Sequence, residues 1–219
     1  MKSKIALITG GGGDLALELR SQLLAAGYEV LAPTRVQLDV SDADAVDLFV
    51  KEHERIDLLI NNAAVTADRP ISRMSEVEWD HVLDVNAKGA FLCAKSVLRK
   101  MLRQRCGHII NISSYSALRP PVGQANYASA KAALIALTQS LAEEAGGRSV
   151  RVNCVLPGFL ETKMTKRVSD SARERAKQAH VLGRFNCVCD AARFIVFLDT
   201  MEAVSGQVFQ LDSRLRPWC

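Results

Sequence analysis

Tyr127 and Lys131 stand four residues apart in Tyr-Ala-Ser-Ala-Lys, inside a stretch patterned as a helix. Their side chains therefore share one helix face and lie close enough to interact. A phenol keeps its proton to about pH 10, and a neighbouring ammonium favours the phenolate and lowers that value. The pair reads as a general acid or base working near neutral pH; standing alone, it would equally describe an ordinary helical tyrosine beside a solvated lysine. It does not stand alone. Ser113-Ser114-Tyr115-Ser116 follows a β-rich run, where a serine hydroxyl is placed to bond a carbonyl oxygen. Asn86 lies in a helical stretch, where asparagine is a poor former and a buried amide needs partners.

A second group of residues suits a nucleotide. Thr9-Gly10-Gly11-Gly12-Gly13-Asp14-Leu15-Ala16 joins an apolar run to a helical one. Glycines let the backbone approach a pyrophosphate, and the helix that follows adds its positive end; a plain tight turn has the same appearance. Asn61-Asn62-Ala63-Ala64 ends another β-rich run with small residues, and Pro157-Gly158 opens a segment able to close over a substrate. Thr34 and Arg35 end the second β-rich run. An arginine there suits the 2′-phosphate of NADP(H), where an acid would favour NAD(H); a solvated surface arginine is the alternative. Asp39, followed by Val40, is placed either to accept from an adenine amino group or to cap a turn.

Positioning these groups requires strands that carry them to one edge. Short β-rich runs alternate with longer helical ones, the rhythm of βαβ units. Strands are expected over 4–9, 28–32, 36–40, 56–61, 108–112, 150–155 and 207–211. Helices are expected over 14–26, 42–54 with Ser41 as N-cap, 76–105 with a break near Gly89, 124–145 and 190–200, with short helices in a loop over 160–180. The implied fold is α/β: a Rossmann-like, doubly wound, parallel seven-stranded sheet in three αβα layers. Only Pro33, Thr34 and Arg35 separate the second and third expected strands, so the crossover helix between them is missing.

The 219 residues suit a single domain spanning 1–219. With 48% hydrophobic residues and a net charge of +4, disorder is excluded as the main state. No apolar run approaches the ~18 residues of a membrane span, and the N-terminus lacks a signal-peptide cleavage site. Aromatics at 5% and the lack of a basic stripe argue against a nucleic-acid partner. The six cysteines have no metal-knuckle spacing and read as free thiols of a cytoplasmic protein; no metal is expected.

Taken in order, Thr-Gly-x-x-x at 9–13, Asn-Asn-Ala-Ala at 61–64, Asn86, Ser114, Tyr-x-x-x-Lys at 127–131, and Pro157-Gly158 with Thr162 resemble the short-chain dehydrogenase/reductase family over essentially the whole chain. The Ser114-to-Tyr127 spacing selects Ser114 over Ser113. The resemblance implies that Tyr127 donates a proton to a carbonyl while a nicotinamide delivers hydride. It implies that Lys131 lowers the tyrosine pKa and bonds the nicotinamide ribose, that Ser114 polarises the carbonyl, and that Asn86 holds a relay water. Gly10, Gly11, Gly12, Gly13, Asp14, Leu15, Thr34, Arg35, Asp39, Val40, Asn62, Ala63, Ala64, Leu160 and Thr162 would line the cofactor together with Tyr127 and Lys131.

Gly123-Gln124-Ala125-Asn126-Tyr127 and Pro157-Gly-Phe-Leu-Glu-Thr162 look most like 3-oxoacyl-[acyl-carrier-protein] reductases. That implies an NADPH-dependent ketoreductase of fatty acid or polyketide biosynthesis whose acidic carrier protein docks on basic residues near the cleft. Arg105 and Arg148 occupy the matching positions, or are solvated charges. The alternatives are a family reductase or alcohol dehydrogenase acting on a free small molecule, and a non-catalytic nucleotide-binding protein. Ala- and Leu-rich helices over 76–105 and after 124 imply a homo-oligomer, a tetramer or dimer. Asp14 and Ala16 stand where the family has glycines, and Leu211-Asp212-Ser213-Arg214 varies its glycine-rich close. Asp14 is expected to cap the helix.

Overall fold

Alternation in the first apolar run sends Ala6 and Ile8 to one face and Leu7 to the other, and both faces are buried. Such a strand must be covered on both sides, which is the setting of a parallel sheet. A computed structural model describes residues 3–163 and 165–215. Its strands are β1 (Ile5–Ile8), β2 (Glu29–Leu31), β3 (Leu58–Asn61), β4 (Gly107–Ile112), β5 (Val150–Leu156) and β6 (Val208–Gln210). They form one six-stranded sheet in the order β2-β1-β3-β4-β5-β6, parallel throughout.

The helices are α1 (Asp14–Ala25), α2 (Ala43–Lys51), α3 (Glu76–Leu83), α4 (Gly89–Gln104), α5 (Ala125–Ala145), α6 (Asp170–Gln178) and α7 (Val188–Asp199). On one face, Leu15, Leu19 and Leu23 of α1 pack with Ala191, Ile195 and Leu198 of α7 over Ile8, Ile60 and Ile110. On the other, Val46 and Val50 of α2 and Cys93, Val97 and Met101 of α4 pack over Leu7, Leu59 and Ile109. Each fully buried leucine or isoleucine contributes about 1.5–3 kcal/mol. The three αβα layers are therefore as expected.

The expected strand over 36–40 does not form, so the sheet has six strands and not seven. Val36 is 98% exposed, whereas Leu38 and Val40 are buried in the α2–α4 core. That in–out alternation imitates a strand, but the backbone turns: Gln37 and Leu38 N–H both donate to the Thr34 carbonyl, at 3.0 and 2.9 Å. Asp39 then accepts from Ser41 N at 3.0 Å. What is short is a whole strand–helix unit, and α2 itself is the crossover from β2 to β3. Its N-cap is Asp42 rather than Ser41, accepting from Asp44 N and Ala45 N at 3.0 and 3.1 Å.

The helical stretch 76–105 is interrupted before Gly89, by a π-helical turn over Asp84–Lys88 that carries Asn86. Gly89 follows because α4 starts against Val40; a Cβ there would lie 2.6 Å from the Val40 Cγ2.

At the amino edge of the sheet a buried polar cluster ties β2, β4 and β5 to the end of α7. His108 Nδ1 lies 2.8 Å from Asp199 Oδ1, Arg151 lies 3.1 Å from the same carboxylate, and the Tyr28 hydroxyl donates to it. Asn153 Nδ2 donates to His108 Nε2 at 3.0 Å, which leaves the imidazole proton on Nδ1. Burial pushes the Asp199 pKa up, but hydrogen bonds from His108 and Tyr28 and the Arg151 charge hold it down at about 2.

Candidate active site

The chain leaves β1 for β2 on one side, while β3 lies on the other, so the sheet switches direction between β1 and β3. A crevice opens at the carboxyl ends of strands at such a point. The glycine turn closes its floor. Gly10 has φ +69°, and a Cβ there would meet the Ala63 Cα at 2.8 Å; one on Gly11 would reach the Ala32 carbonyl at 2.0 Å. Thr9 Oγ1 accepts from Asn62 N and Ala63 N at 3.0 Å each, and Asn62 Nδ2 donates to the Thr9 carbonyl at 3.0 Å. The β1 and β3 ends are thereby laced into one surface.

Gly13 is the N-cap of α1 and supplies no side-chain bond. Among the described residues the first-turn N–H groups of Asp14, Leu15 and Ala16 take no backbone partner, as at any helix start. These donors, with no side chain on Gly12 or Gly13 to cover them, fit a pyrophosphate. Asp14 is the first helical residue rather than the cap, and its carboxylate instead accepts from Lys163 N at 2.7 Å. The segment after Gly158 is thus tied to the glycine turn. Leu160 is buried in the same core cluster as Leu15, and Thr162 N donates to Thr165 Oγ1 at 2.9 Å.

On the far side of the crevice the chemical residues meet. Ser114 lies close enough to the Tyr127 hydroxyl to lower its pKa. The Lys131 ammonium lies 5.7 Å from the Tyr127 ring centre and donates to the Ile112 carbonyl at 2.8 Å. Among the described residues that is its one hydrogen bond, which leaves two N–H donors for a ligand's hydroxyls. Ser113 Oγ donates to the Lys131 carbonyl at 2.7 Å, fixing α5 to the end of β4. The tyrosine pKa moves opposite to the expectation. Burial pushes the phenol up to about 12, against a lowering by Ser114. Burial also brings the Lys131 ammonium down to about 8. The resting state is therefore a neutral phenol beside a cation that titrates unusually low.

Asn86 is buried, and its amide clamps the backbone of Val65: Oδ1 accepts from Val65 N at 2.8 Å and Nδ2 donates to the Val65 carbonyl at 2.9 Å. Its side chain is spent on shaping the wall beyond Ala64, so a relay water would have to use another group.

Several supports gave no sequence signal beyond being polar residues in apolar surroundings. Asn61, Asn111 and Cys154 are register partners across β3, β4 and β5. Asn61 Nδ2 donates to Asn111 Oδ1 at 2.9 Å, and Asn111 Nδ2 to Thr138 Oγ1 at 2.9 Å. Burial pushes the Cys154 thiol up to about 11, against lowering by Lys131, Ser113 and Thr138 nearby. Asn126 Nδ2 donates to the Ala67 carbonyl at 3.0 Å, while its Oδ1 accepts from Tyr127 N at 2.8 Å. Asn126 thus sets the start of α5.

Arg35 and Asp39 face each other at 3.6 Å on the exposed turn after β2. Asp39 also accepts from the Ser41 hydroxyl at 2.6 Å, so it is a turn carboxylate. Thr34 bonds Gln37 through its N–H and hydroxyl. Arg105, at the end of α4, and Arg148 precede β4 and β5, whose first residues Gly107 and Val150 are register partners. Both arginines lie at the amino edge, opposite the crevice rather than beside it.

The comparisons agree with this geometry. A family model described as Enoyl-(Acyl carrier protein) reductase matches residues 14–213. The chain is 42% identical to the 3-oxoacyl-[acyl-carrier-protein] reductase FabG of Thermotoga maritima, covering 98% of each. It is 35% identical to that of Staphylococcus aureus, covering 96% of this chain and 97% of the relative. A solved structure of ElxO with NADP bound superposes with a TM-score of 0.88 at 26% identity, over 97% of this chain and 98% of that one. With the nucleotide crevice, the serine–tyrosine–lysine group and these relatives in hand, the chain belongs to the short-chain dehydrogenase/reductase family.

Proposed function

We propose that this protein is an NADPH-dependent reductase that converts a 3-oxoacyl thioester, carried by an acyl carrier protein, to its 3-hydroxyacyl form, with Tyr127 as proton donor. The observation that carries the reading is Tyr127 beside Ser114 and backed by a buried Lys131 at 5.7 Å from its ring. A ketone oxygen seated between the two hydroxyls accepts from both. As negative charge develops on it, those bonds strengthen in a site that excludes water. The phenol is neutral and holds the proton the oxygen needs. The ammonium across the ring stabilises the phenolate left behind and is the nearest group able to reprotonate it. The nicotinamide, when bound, supplies the hydride.

Two donors on Lys131 fit ribose hydroxyls, and the uncapped start of α1 fits the pyrophosphate. The NADP(H) preference rests on Arg35, whose exposed guanidinium is free to turn from Asp39 to a 2′-phosphate. The names of the relatives support the carrier-bound substrate. A homo-oligomer is supported by a shallow apolar groove of about 480 Å³ on α4 and α5, lined by Phe91, Ala133, Ala136 and Leu137. Phe91 is 44% exposed there.

The test follows NADPH consumption with acetoacetyl groups on a carrier protein and on a free thiol. Faster turnover of the carrier-bound form is expected. Turnover of neither thioester would sink the reading in favour of a free ketone or alcohol substrate.

A further inference from the structure

The loop that follows β3 is stitched to the start of α5 at three successive residues. Asn126 Nδ2 donates to the Ala67 carbonyl at 3.0 Å, Gln124 Nε2 to Asp68 Oδ2 at 2.7 Å, and Arg69 N to the Gly123 carbonyl at 2.8 Å. An ion pair of Arg69 with Glu78 at 2.9 Å fixes the outer side of the loop to α3. Both sides of this seam belong to the crevice, since Asn62 and Ala63 follow β3 and α5 carries Tyr127 and Lys131.

The middle stitch continues to the chemical residues. A carboxylate only accepts, so Asp68 obliges the Gln124 amide to turn its nitrogen to the loop and leaves the oxygen for the other side. Gln124 Oε1 accepts from the Ser116 hydroxyl at 2.9 Å, and the Ser116 N–H donates to Ser114 Oγ at 3.2 Å. Ser116 lies in a single 3-10 turn over Tyr115–Ala117, of which Ser114 is the N-cap. Its hydroxyl therefore pins the turn whose N–H occupies a lone pair of Ser114. With that lone pair filled, the Ser114 proton is left for another acceptor. Asp68 acts on the phenol as well: burial raises the Tyr127 pKa most, Ser114 lowers it, and the Asp68 charge raises it further. Among the described residues, the charges facing the phenol are Lys131 on α5 and Asp68 after β3.

We infer that Asp68 is a positioning residue for the reduction, acting through Gln124 and Ser116 to hold Ser114 Oγ with its proton free for the substrate carbonyl. The inference rests on the proposed role of Ser114 at that carbonyl. Asp68 touches no reacting atom. It is exposed, where a polar contact adds little to stability, yet its charge decides which way the Gln124 amide faces. Reversed, the amide would set its oxygen against the carboxylate. Without the charge it can face either way, and Ser116 loses its fixed acceptor. Small losses of alignment at a reacting centre are costly in rate. The charge has a second consequence. It disfavours the phenolate, and so keeps the proton on Tyr127 until the ketone oxygen takes it.

The test measures kcat for reduction of a 3-oxoacyl thioester in Asp68→Ala, Ser116→Ala and the double variant. Each single variant should lose about tenfold, with NADPH affinity by calorimetry unchanged as the check on folding. The double variant should lose no more than the worse single one, because both cut the same chain; independent effects would multiply to about a hundredfold. A second readout is the pH profile of the reverse reaction, oxidation of the 3-hydroxyacyl thioester, in which the phenolate is the base. Its acid limb reports Tyr127 and Lys131 together, and loss of a nearby negative charge moves either downward. Asp68→Asn keeps an acceptor for Gln124 and removes the charge, so it should shift that limb down by a few tenths of a unit, while Ser116→Ala leaves it in place. Unchanged kcat in the alanine variants, multiplying losses, or a limb that stays fixed in Asp68→Asn would each overturn the assignment and leave the proposed reaction standing. Turnover of no 3-oxoacyl thioester by the unaltered enzyme removes that reaction, and the role of Asp68 with it.

Discussion

Replacing Lys131 with methionine should make the protein more stable while stopping its chemistry. Lys131 is 2% exposed, and burial lowers its ammonium pKa from 10.5 to about 8. A shift of about 2.5 units corresponds to roughly 3 kcal/mol held against folding at pH 7. The sign follows from proton counting. Between about pH 8 and 10.5 the unfolded chain binds more protons at this site than the native one, so stability rises with pH across that window. Between pH 7 and 9.5 the unaltered protein should gain about 2 kcal/mol from this residue. Methionine removes the charge and keeps the stem, but strands the Ile112 carbonyl that the ammonium bonds at 2.8 Å, at about 1–3 kcal/mol. The net gain at pH 7 is therefore smaller than the full desolvation term, about 1 kcal/mol. Urea unfolding of both proteins at pH 7 and 9.5 separates the two contributions, because the stranded carbonyl does not titrate. A variant with the same pH slope as the parent would refute the reasoning, whatever its stability at pH 7.

Two further outcomes follow from the same geometry. Asp199→Asn leaves Arg151 and His108 without their carboxylate at the amino edge. It should lower stability by about 3 kcal/mol in urea unfolding at pH 7, with kcat unchanged, since the cluster is remote from the crevice. The Asp199 pKa is depressed, so its contribution to the parent is present above about pH 4 and is lost as the pH falls toward 2. The variant should show a shallower acid limb. Arg35→Ala should weaken NADPH by about tenfold or more in titration calorimetry and leave NADH nearly unchanged; equal losses would remove the 2′-phosphate role.

The chemical residues were readable because their side chains are constrained in type and spacing. A phenol and an amine four apart on α5 must share a face, and Ser114 lies just past the carboxyl end of β4, whose direction the βαβ rhythm dictates. The glycine turn was readable for the same reason, since Gly11 has no room for a Cβ. Failures came where local pattern and tertiary packing coincide. Leu38 and Val40 alternate with exposed residues as a strand would, yet they plug a turn into the α2–α4 core. The break expected near Gly89 does occur, as a π-turn over Asp84–Lys88; its form was not legible, because the extra residue is a matter of hydrogen-bond register. The direction of the Tyr127 shift was misjudged because proximity to Lys131 is visible in sequence and desolvation is not. The edge on which Arg105 and Arg148 lie follows from the register of β4 with β5, which no single segment carries.

The central claim is that the Tyr127 hydroxyl delivers the proton, and Tyr127→Phe tests it most directly. Phenylalanine keeps the ring beside Lys131 and removes only the hydroxyl oxygen. Turnover of a 3-oxoacyl thioester should fall by about 10²–10⁴-fold, with NADPH affinity by calorimetry nearly intact. Turnover within a few-fold of the parent would contradict the account.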